Sequence, residues 1–244
     1  MTSVALVTGA AGGIGAAAAR RLGRDGFALA IHDIDPGRAG ALADELAAAG
    51  VSARPYVGDI SDAACLRALA GEIEEGFGPI DLLVNNAGIG GDRGGIETTT
   101  PESLERMLAV HVAGPVFLTQ AVVAHMKIRR RGRIVMMSST RGVAGAPYGV
   151  AYNAAKGAIV SITKGWAKEF APWGITVNAV APGYVRTAMA GADDAAVRAG
   201  KIAAVPLGRE ADADEIAACI AFLAGKDAGY LTGQIVGVNG GLVI

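Results

Sequence analysis

At 244 residues, with 52% hydrophobic residues and 36 glycines, the chain is long enough to bury an extensive core and lies far from a disordered composition. A formal net charge of −1 excludes the basic excess expected of a nucleic-acid binder or of a protein drawn to an anionic membrane. Cys65 and Cys219 stand far apart with neither a C-x-x-C nor a neighbouring histidine, so they read as buried small hydrophobes, with no metal site expected.

Met1-Thr2-Ser3 leads straight into the apolar run Val4 to Thr8, which stops at glycines; Ala16 to Leu22 then continues in strong helix formers. A second apolar run, Phe27 to Ile31, ends at Asp33, and Pro36 to Ala49 reads as a helix with proline in its first turn. Ala53 to Val57 is a third strand, followed by a helix for which Ser61 is the expected cap. Ile80 to Val84 is a fourth strand, ending at Asn85-Asn86-Ala87-Gly88. Thr100 caps an apolar helix running to about Met126, and the basic run Lys127 to Arg133 reads as its solvated end. Arg133 to Met137 makes a fifth strand ending at Ser138-Ser139, and a helix continues the chain from about Val150 to Ala171. Gly174 to Val180 is a sixth strand stopped by Pro182-Gly183; Asp212 and Glu215 form a capping box for a helix to Ala224, and Gln234 to Val238 is a seventh strand.

Strands alternate with helices and several are apolar on both faces, the pattern of a parallel sheet covered on two sides. One domain over 1–244 is expected: an α/β, three-layer, doubly wound parallel sheet of about seven strands. No apolar run approaches the length of a membrane span and no basic leader precedes the first strand, so a cytoplasmic protein without a membrane partner is expected.

In such sheets ligands bind outside the carboxyl ends of the strands, and the glycine and polar punctuation falls there. Thr8-Gly9-Ala10-Ala11-Gly12-Gly13-Ile14-Gly15 places glycines where a strand turns into a helix, so that backbone N–H groups can approach a pyrophosphate at the positive helix end. Asp33 comes eighteen residues after Gly15, where a ribose-binding carboxylate is expected. A carboxylate accepts both ribose hydroxyls and repels a 2′-phosphate, while Gly12 and Ile34 offer no basic side chain to receive one. NAD is therefore the expected cofactor, in preference to NADP. Asp35 reads as a solvent-facing turn residue.

Tyr152 and Lys156 are one helical turn apart and project from one face. A cation about 4 Å from a phenol, at an effective dielectric near 20, is worth roughly 4 kcal/mol, or about three pKa units, enough to bring a proton into play near neutral pH.

Thr8-Gly-x-x-x-Gly13-x-Gly15, Asp59, Asn85 to Gly88, Ser139, Tyr152-x-x-x-Lys156 and Pro182-Gly183, in this order, resemble the short-chain dehydrogenase/reductases of the ordinary, non-extended type, a Rossmann-fold family. The resemblance runs from about Ser3 to the last strand. It implies that Ser139 hydrogen-bonds the substrate oxygen, that Tyr152 is the acid/base, and that Lys156 lowers the tyrosine pKa and holds the nicotinamide ribose. It also implies that Asp59-Ile60 lies near the adenine and that Asn86, Ala87 and Gly88 lie beside the adenosine ribose. The phosphate loop would be Gly9, Gly13, Ile14 and Gly15. Pro182, Gly183, Val185 and Thr187 would face the nicotinamide. His111 stands where the family usually has asparagine, which in the resemblance steadies a helix distortion and whose main-chain carbonyl holds a water linking the lysine to solvent; a histidine keeps that carbonyl and adds a group able to exchange a proton.

The resemblance and the residues together point to an NAD-dependent enzyme interconverting a secondary alcohol and a ketone. The substrate pocket is expected between Ile89 to Glu97, Arg141 to Gly149 and Tyr184 to Val205, with mobile loops at the first and last. Arg141 and Arg186 either meet an anionic substrate group or are surface arginines. A 3-oxoacyl-carrier-protein reductase is the alternative within the family, disfavoured by Asp33; a non-catalytic NAD sensor or scaffold is the alternative outside it, disfavoured by the retained Tyr152 and Lys156. The resemblance further implies a homotetramer, or a homodimer, of this chain with a small-molecule substrate.

Overall fold

The computed structural model describes residues 2–91, 94–187 and 194–244. Seven strands, β1 (Val4–Thr8), β2 (Ala28–Asp33), β3 (Ala53–Val57), β4 (Ile80–Asn85), β5 (Gly132–Met137), β6 (Ile175–Pro182) and β7 (Ile235–Val238), form one sheet in the order β3-β2-β1-β4-β5-β6-β7. Every pairing is parallel. The helices are α1 (Gly13–Arg24), α2 (Pro36–Ala48), α3 (Ala63–Phe77), α4 (Pro101–Leu108), α5 (Gly114–Arg129), α6 (Thr140–Ala144), α7 (Val150–Phe170), α8 (Ala195–Ala203) and α9 (Ala213–Ala224).

The period of two along the strands divides the core, with an irregularity at the start of β4 that puts Ile80 and Leu82 in opposite layers. Ala5, Val7, Leu29, Ile31, Leu82 and Val84 pack under α1, α2 and α9, while Val4, Leu6, Ala30, Ile80 and Leu83 pack under α3, α5 and α7. Each fully buried leucine or isoleucine contributes roughly 1.5–3 kcal/mol of transfer free energy, so both layers are held to the sheet without polar bonding. The sheet edge at β3 is blunted by Pro55 and the exposed Arg54, which discourage a further strand. The chain reverses its winding between β1 and β4, and this opens the crevice at their carboxyl ends.

Several local expectations are corrected. Asp62, not Ser61, caps α3, accepting from the N–H groups of Ala64 and Cys65; Ser61 instead donates to Asp59. Asp35 is the cap of α2, receiving the Arg38 N–H. The long helix from Thr100 is interrupted by a π-helical turn at Ala109–Ala113. The span Pro101–Arg129 is, by length and composition, apolar enough to cross a membrane, contrary to the sequence reading; half of its most apolar stretch is buried within the fold. The basic run at its end is largely engaged: Arg129 and Arg131 pair with Asp81, Arg130 donates to the Pro172 carbonyl, and Lys127 lies over the rings of Phe170 and Trp173. Cys65 and Cys219 are free and only half-buried. Helix α8, capped by Asp194, lies in a stretch read as a mobile loop, and α6 opens the second expected wall of the substrate pocket. Residues 92–93 and 188–193 of the expected mobile loops lie outside the described residues.

Candidate active site

The glycine loop is shaped by contacts that a Cβ would violate. Gly9 takes φ +59°, with the Ala87 Cα 2.7 Å from where its Cβ would lie; Gly13 takes φ +52° against Thr187; a Cβ on Gly15 would stand 2.1 Å from the Gly9 carbonyl oxygen. Gly12 enters α1 with no side-chain cap, so the first amides of the helix face outward with their partial positive charge. An uncapped helix start behind a glycine cradle fits a pyrophosphate. Asn86 clamps the loop to β4, its Nδ2 donating to the carbonyls of Thr8 (2.9 Å) and Gly9 (3.0 Å). Thr8 completes the clamp: its Oγ1 accepts from the N–H groups of Asn86 and Ala87, both at 3.0 Å. In the sequence Thr8 is only the head of the motif, and nothing there signals this clamping role.

Asp33 ends β2 beside this loop. Its Oδ2 accepts from the Ala11 N–H (2.9 Å) and its Oδ1 from the Asp35 N–H (3.1 Å), which fixes the carboxylate at the crevice while leaving lone pairs for a diol. Sequence reasoning missed Arg38. From the first turn of α2 it reaches back so that Nη2 donates to the Ala11 carbonyl (2.9 Å) and stands 2.1 Å from where a Gly12 Cβ would be. A basic side chain therefore does stand on the loop at Ala11 and Gly12, where none was expected; the signal was its place at the start of α2, one turn beyond the cap. Asp59 accepts from Ser61 and Arg106, and these bonds hold its carboxyl below the usual range. Ile60 is buried against Gly114, where a Cβ would lie 2.4 Å from the Ile60 carbonyl oxygen.

On the other side of the crevice, Ser139 comes directly after Ser138 at the end of β5 and caps α6, its Oγ accepting the Arg141 N–H at 3.2 Å. Ser138 is turned away, donating to the Lys156 carbonyl. Lys156 is 5% exposed, and its Nζ donates to the Met137 carbonyl at 2.7 Å. Burial pushes the ammonium pKa down to about 7. Tyr152 lies beside it, with Nζ 5.7 Å from the ring centroid. The phenol pKa is raised, because burial outweighs the hydrogen bond with Ser139 and the charge of Arg141, both of which lower it. This corrects the expected depression by a lysine about 4 Å away. Lys156 spends its ammonium on the end of β5 and is itself desolvated.

His111 sits in the π-helical turn, a distortion that turns it into the site. Its ring is edge-on to Tyr152, with centroids 5.5 Å apart and planes at 83°. Nε2 lies 3.0 Å from the Ile89 oxygen and 3.1 Å from the Ile89 nitrogen, and so ties down the strand-to-loop exit at Gly88. Burial and the neighbouring Lys156 push its pKa down to about 3, so the ring is neutral at physiological pH. Gly88 is required there, since a Cβ would come 2.5 Å from the His111 Cε1. Pro182 closes β6, Gly183 N–H donates to the Val238 carbonyl, Val185 is buried, and Thr187 packs near Gly13. Arg186 pairs with Asp212, away from this group. Among the described residues no cluster of three or more metal-ligating side chains occurs.

The glycine loop with Asp33 follows β1 and β2, and the group Ser139, Tyr152 and Lys156 lies at and beside the end of β5, so both stand along the carboxyl edge of the sheet, where such sheets bind ligands. Known proteins are similar to this chain over nearly its whole length. The family profile described as enoyl-(acyl carrier protein) reductase matches residues 9–243. The 3-oxoacyl-(acyl-carrier-protein) reductase of Thermotoga maritima is 36% identical, with 99% of this chain and 98% of that one aligned. Among solved structures, an actinorhodin polyketide ketoreductase with NADPH superposes with a TM-score of 0.95 at 35% identity, covering 99% of this chain and 97% of that one. An NAD+-bound xylitol dehydrogenase superposes at 0.93 and 33%, with 98% of each chain covered.

Proposed function

The chain belongs to the short-chain dehydrogenase/reductases of the ordinary type and is an oxidoreductase, and from that premise we propose that it interconverts a secondary alcohol and a ketone with NAD(H). The observation that carries this reading is the grouping of Ser139, Tyr152 and Lys156 at the same carboxyl edge of the sheet as the glycine loop and Asp33. When bound, the nicotinamide supplies or accepts the hydride. The chain's own residues handle the oxygen. Ser139 donates a hydrogen bond to it and stabilises charge developing there. Tyr152 gives its proton to a ketone oxygen, or takes one from an alcohol. Because burial raises the phenol pKa, the protonated form needed for ketone reduction prevails at neutral pH, and alcohol oxidation gains as pH rises.

The preference for NAD rests on Asp33, whose carboxylate opposes a 2′-phosphate. A second reading, reduction of a 3-oxoacyl thioester with NADPH, is favoured by Arg38 and by the Thermotoga relative. A panel of secondary alcohols, polyols, ketones and a 3-oxoacyl thioester, each with both cofactors and followed by NAD(P)H fluorescence, separates the two. Turnover of an alcohol or polyol with NAD at least tenfold more efficient than with NADP supports the first; a thioester with NADPH as the best pair replaces it. A homotetrameric assembly and a cytoplasmic location are part of the same proposal.

A further inference from the structure

Arg141 belongs to none of the motifs, and its sequence context is compatible with both a substrate contact and a surface residue. In the structure it is not stretched into solvent, and among the described residues it is paired with no acid. Its guanidinium carbon lies 5.0 Å from the centroid of the Tyr152 ring and 4.7 Å from that of Tyr148. Three hydrogen bonds hold it there: Nε donates to the Asn153 Oδ1 at 2.8 Å, and Nη2 donates to the carbonyls of Tyr148 (2.5 Å) and Gly149 (3.1 Å). Asn153 is fixed in turn, its Nδ2 donating to the Ala146 carbonyl at 2.8 Å. The Arg141 N–H is also the one received by Ser139 Oγ. One residue thereby spans the two side chains between which the substrate oxygen would lie.

We propose that Arg141 is the second cation of the proton-transfer site, a positioning residue that Asn153 holds over the phenol so that its permanent charge stabilises tyrosinate alongside Lys156. The inference rests on Tyr152 being the proton carrier. Lys156 alone is an incomplete source of charge: it is buried, its ammonium is spent on the Met137 carbonyl, and it is part neutral near pH 7. A guanidinium stays protonated at every physiological pH. The groups that bond Arg141 are amide and carbonyl oxygens, so its charge is delivered without neutralisation by an acid among the described residues. The other groups facing Tyr152 are the Ser139 hydroxyl, Lys156 on α7 and the neutral His111 ring on the π-helical turn, with the Tyr148 phenol beyond Arg141. Among the described residues no carboxylate contributes to the shift of the phenol.

The test is a titration of the phenol itself, independent of any turnover. Near-UV tyrosinate absorbance is followed against pH for the wild type, Arg141→Gln and Arg141→Lys. The matching curve of the same protein carrying Tyr152→Phe is subtracted from each. A unit charge at this separation, partly screened, is worth about one pH unit. The Tyr152 midpoint is expected to rise by about one unit in Arg141→Gln and by less than about a third of a unit in Arg141→Lys, which keeps the charge. An unchanged midpoint in Arg141→Gln, or equal shifts in both variants, overturns the proposal and leaves Arg141 as a brace for the turn before α7. Thermal melts of each variant establish folding; where Arg141→Gln does not fold, Arg141→Met, which keeps an apolar stem over the two rings, takes its place. Because the phenol is read directly, a chain that oxidises no alcohol fails the proposed function without touching this result.

Discussion

Replacing Lys156 by methionine removes a buried ammonium from the fold, and its effect on stability can be worked from the structure. In the folded protein the group titrates at about 7 instead of 10.5, a gap of 10.5 − 7 = 3.5 units. At about 1.36 kcal/mol per unit this sets a ceiling of about 5 kcal/mol on the penalty of keeping the ammonium charged inside the fold. Loss of its hydrogen bond leaves the Met137 carbonyl without that donor, a cost of about 1–3 kcal/mol, so the net gain of Lys156→Met near pH 6 is at most about 2–4 kcal/mol. The sign with pH is fixed by linkage. Below pH 7 both states hold the proton and the penalty is fully present. Between 7 and 10.5 the folded state releases it while the unfolded state keeps it, so wild-type stability from this group rises with pH, then levels off. Urea unfolding at about pH 6, 8 and 9.5 measures this directly. Wild type should gain stability across the series relative to Lys156→Met, and the variant should be the more stable at the lowest pH. A variant less stable at every pH, with a parallel profile, would mean that Lys156 is well solvated or ion-paired in the fold and that the burial argument is wrong.

Two further substitutions probe the dinucleotide crevice. Gly15→Ala places a Cβ 2.1 Å from the Gly9 oxygen and 2.9 Å from the Ala10 Cα, so it should cost about 1–3 kcal/mol in urea unfolding and weaken NADH binding at least about tenfold. Gly71→Ala, in α3 with nothing within 4 Å of its Cβ, is the control and should stabilise by up to about 1 kcal/mol with NADH binding unchanged. Arg38→Ala should weaken NADPH binding by about tenfold, the value of one lost charge-assisted contact, while NADH affinity changes less than about threefold; fluorescence titration reads both. Equal losses for the two cofactors would make Arg38 a brace for the loop at Ala11.

The strands and their order of alternation were legible because both-face burial leaves unbroken apolar runs such as Val4–Thr8, and the glycine loop was legible because close backbone approach admits no other residue. The pair Tyr152 and Lys156 was placed by helical spacing alone, but its electrostatics were not. Spacing says that two groups share a helix face; it does not say that Lys156 will turn to the Met137 carbonyl or that burial will dominate the phenol. Arg38 and Arg141 escaped for a related reason. Each acts over long, flexible side-chain reach onto a backbone carbonyl of another segment, and no local pattern in a sequence encodes the end point of such a reach. The π-helical turn at His111 is not legible in the local pattern, since its residues are those of an ordinary apolar helix; only the family resemblance, with its helix distortion at this position, pointed to it.

The central claim is that proton transfer at Tyr152 accompanies hydride transfer in the crevice, and Tyr152→Phe tests it most directly. The variant removes one oxygen and keeps the ring that packs against His111 and under Arg141. With the best alcohol from the substrate panel, kcat should fall by at least about a thousandfold while the dissociation constant for NADH, read by fluorescence, stays within about twofold. Turnover within about tenfold of wild type, with cofactor affinity intact, would remove Tyr152 from the chemistry and contradict the claim.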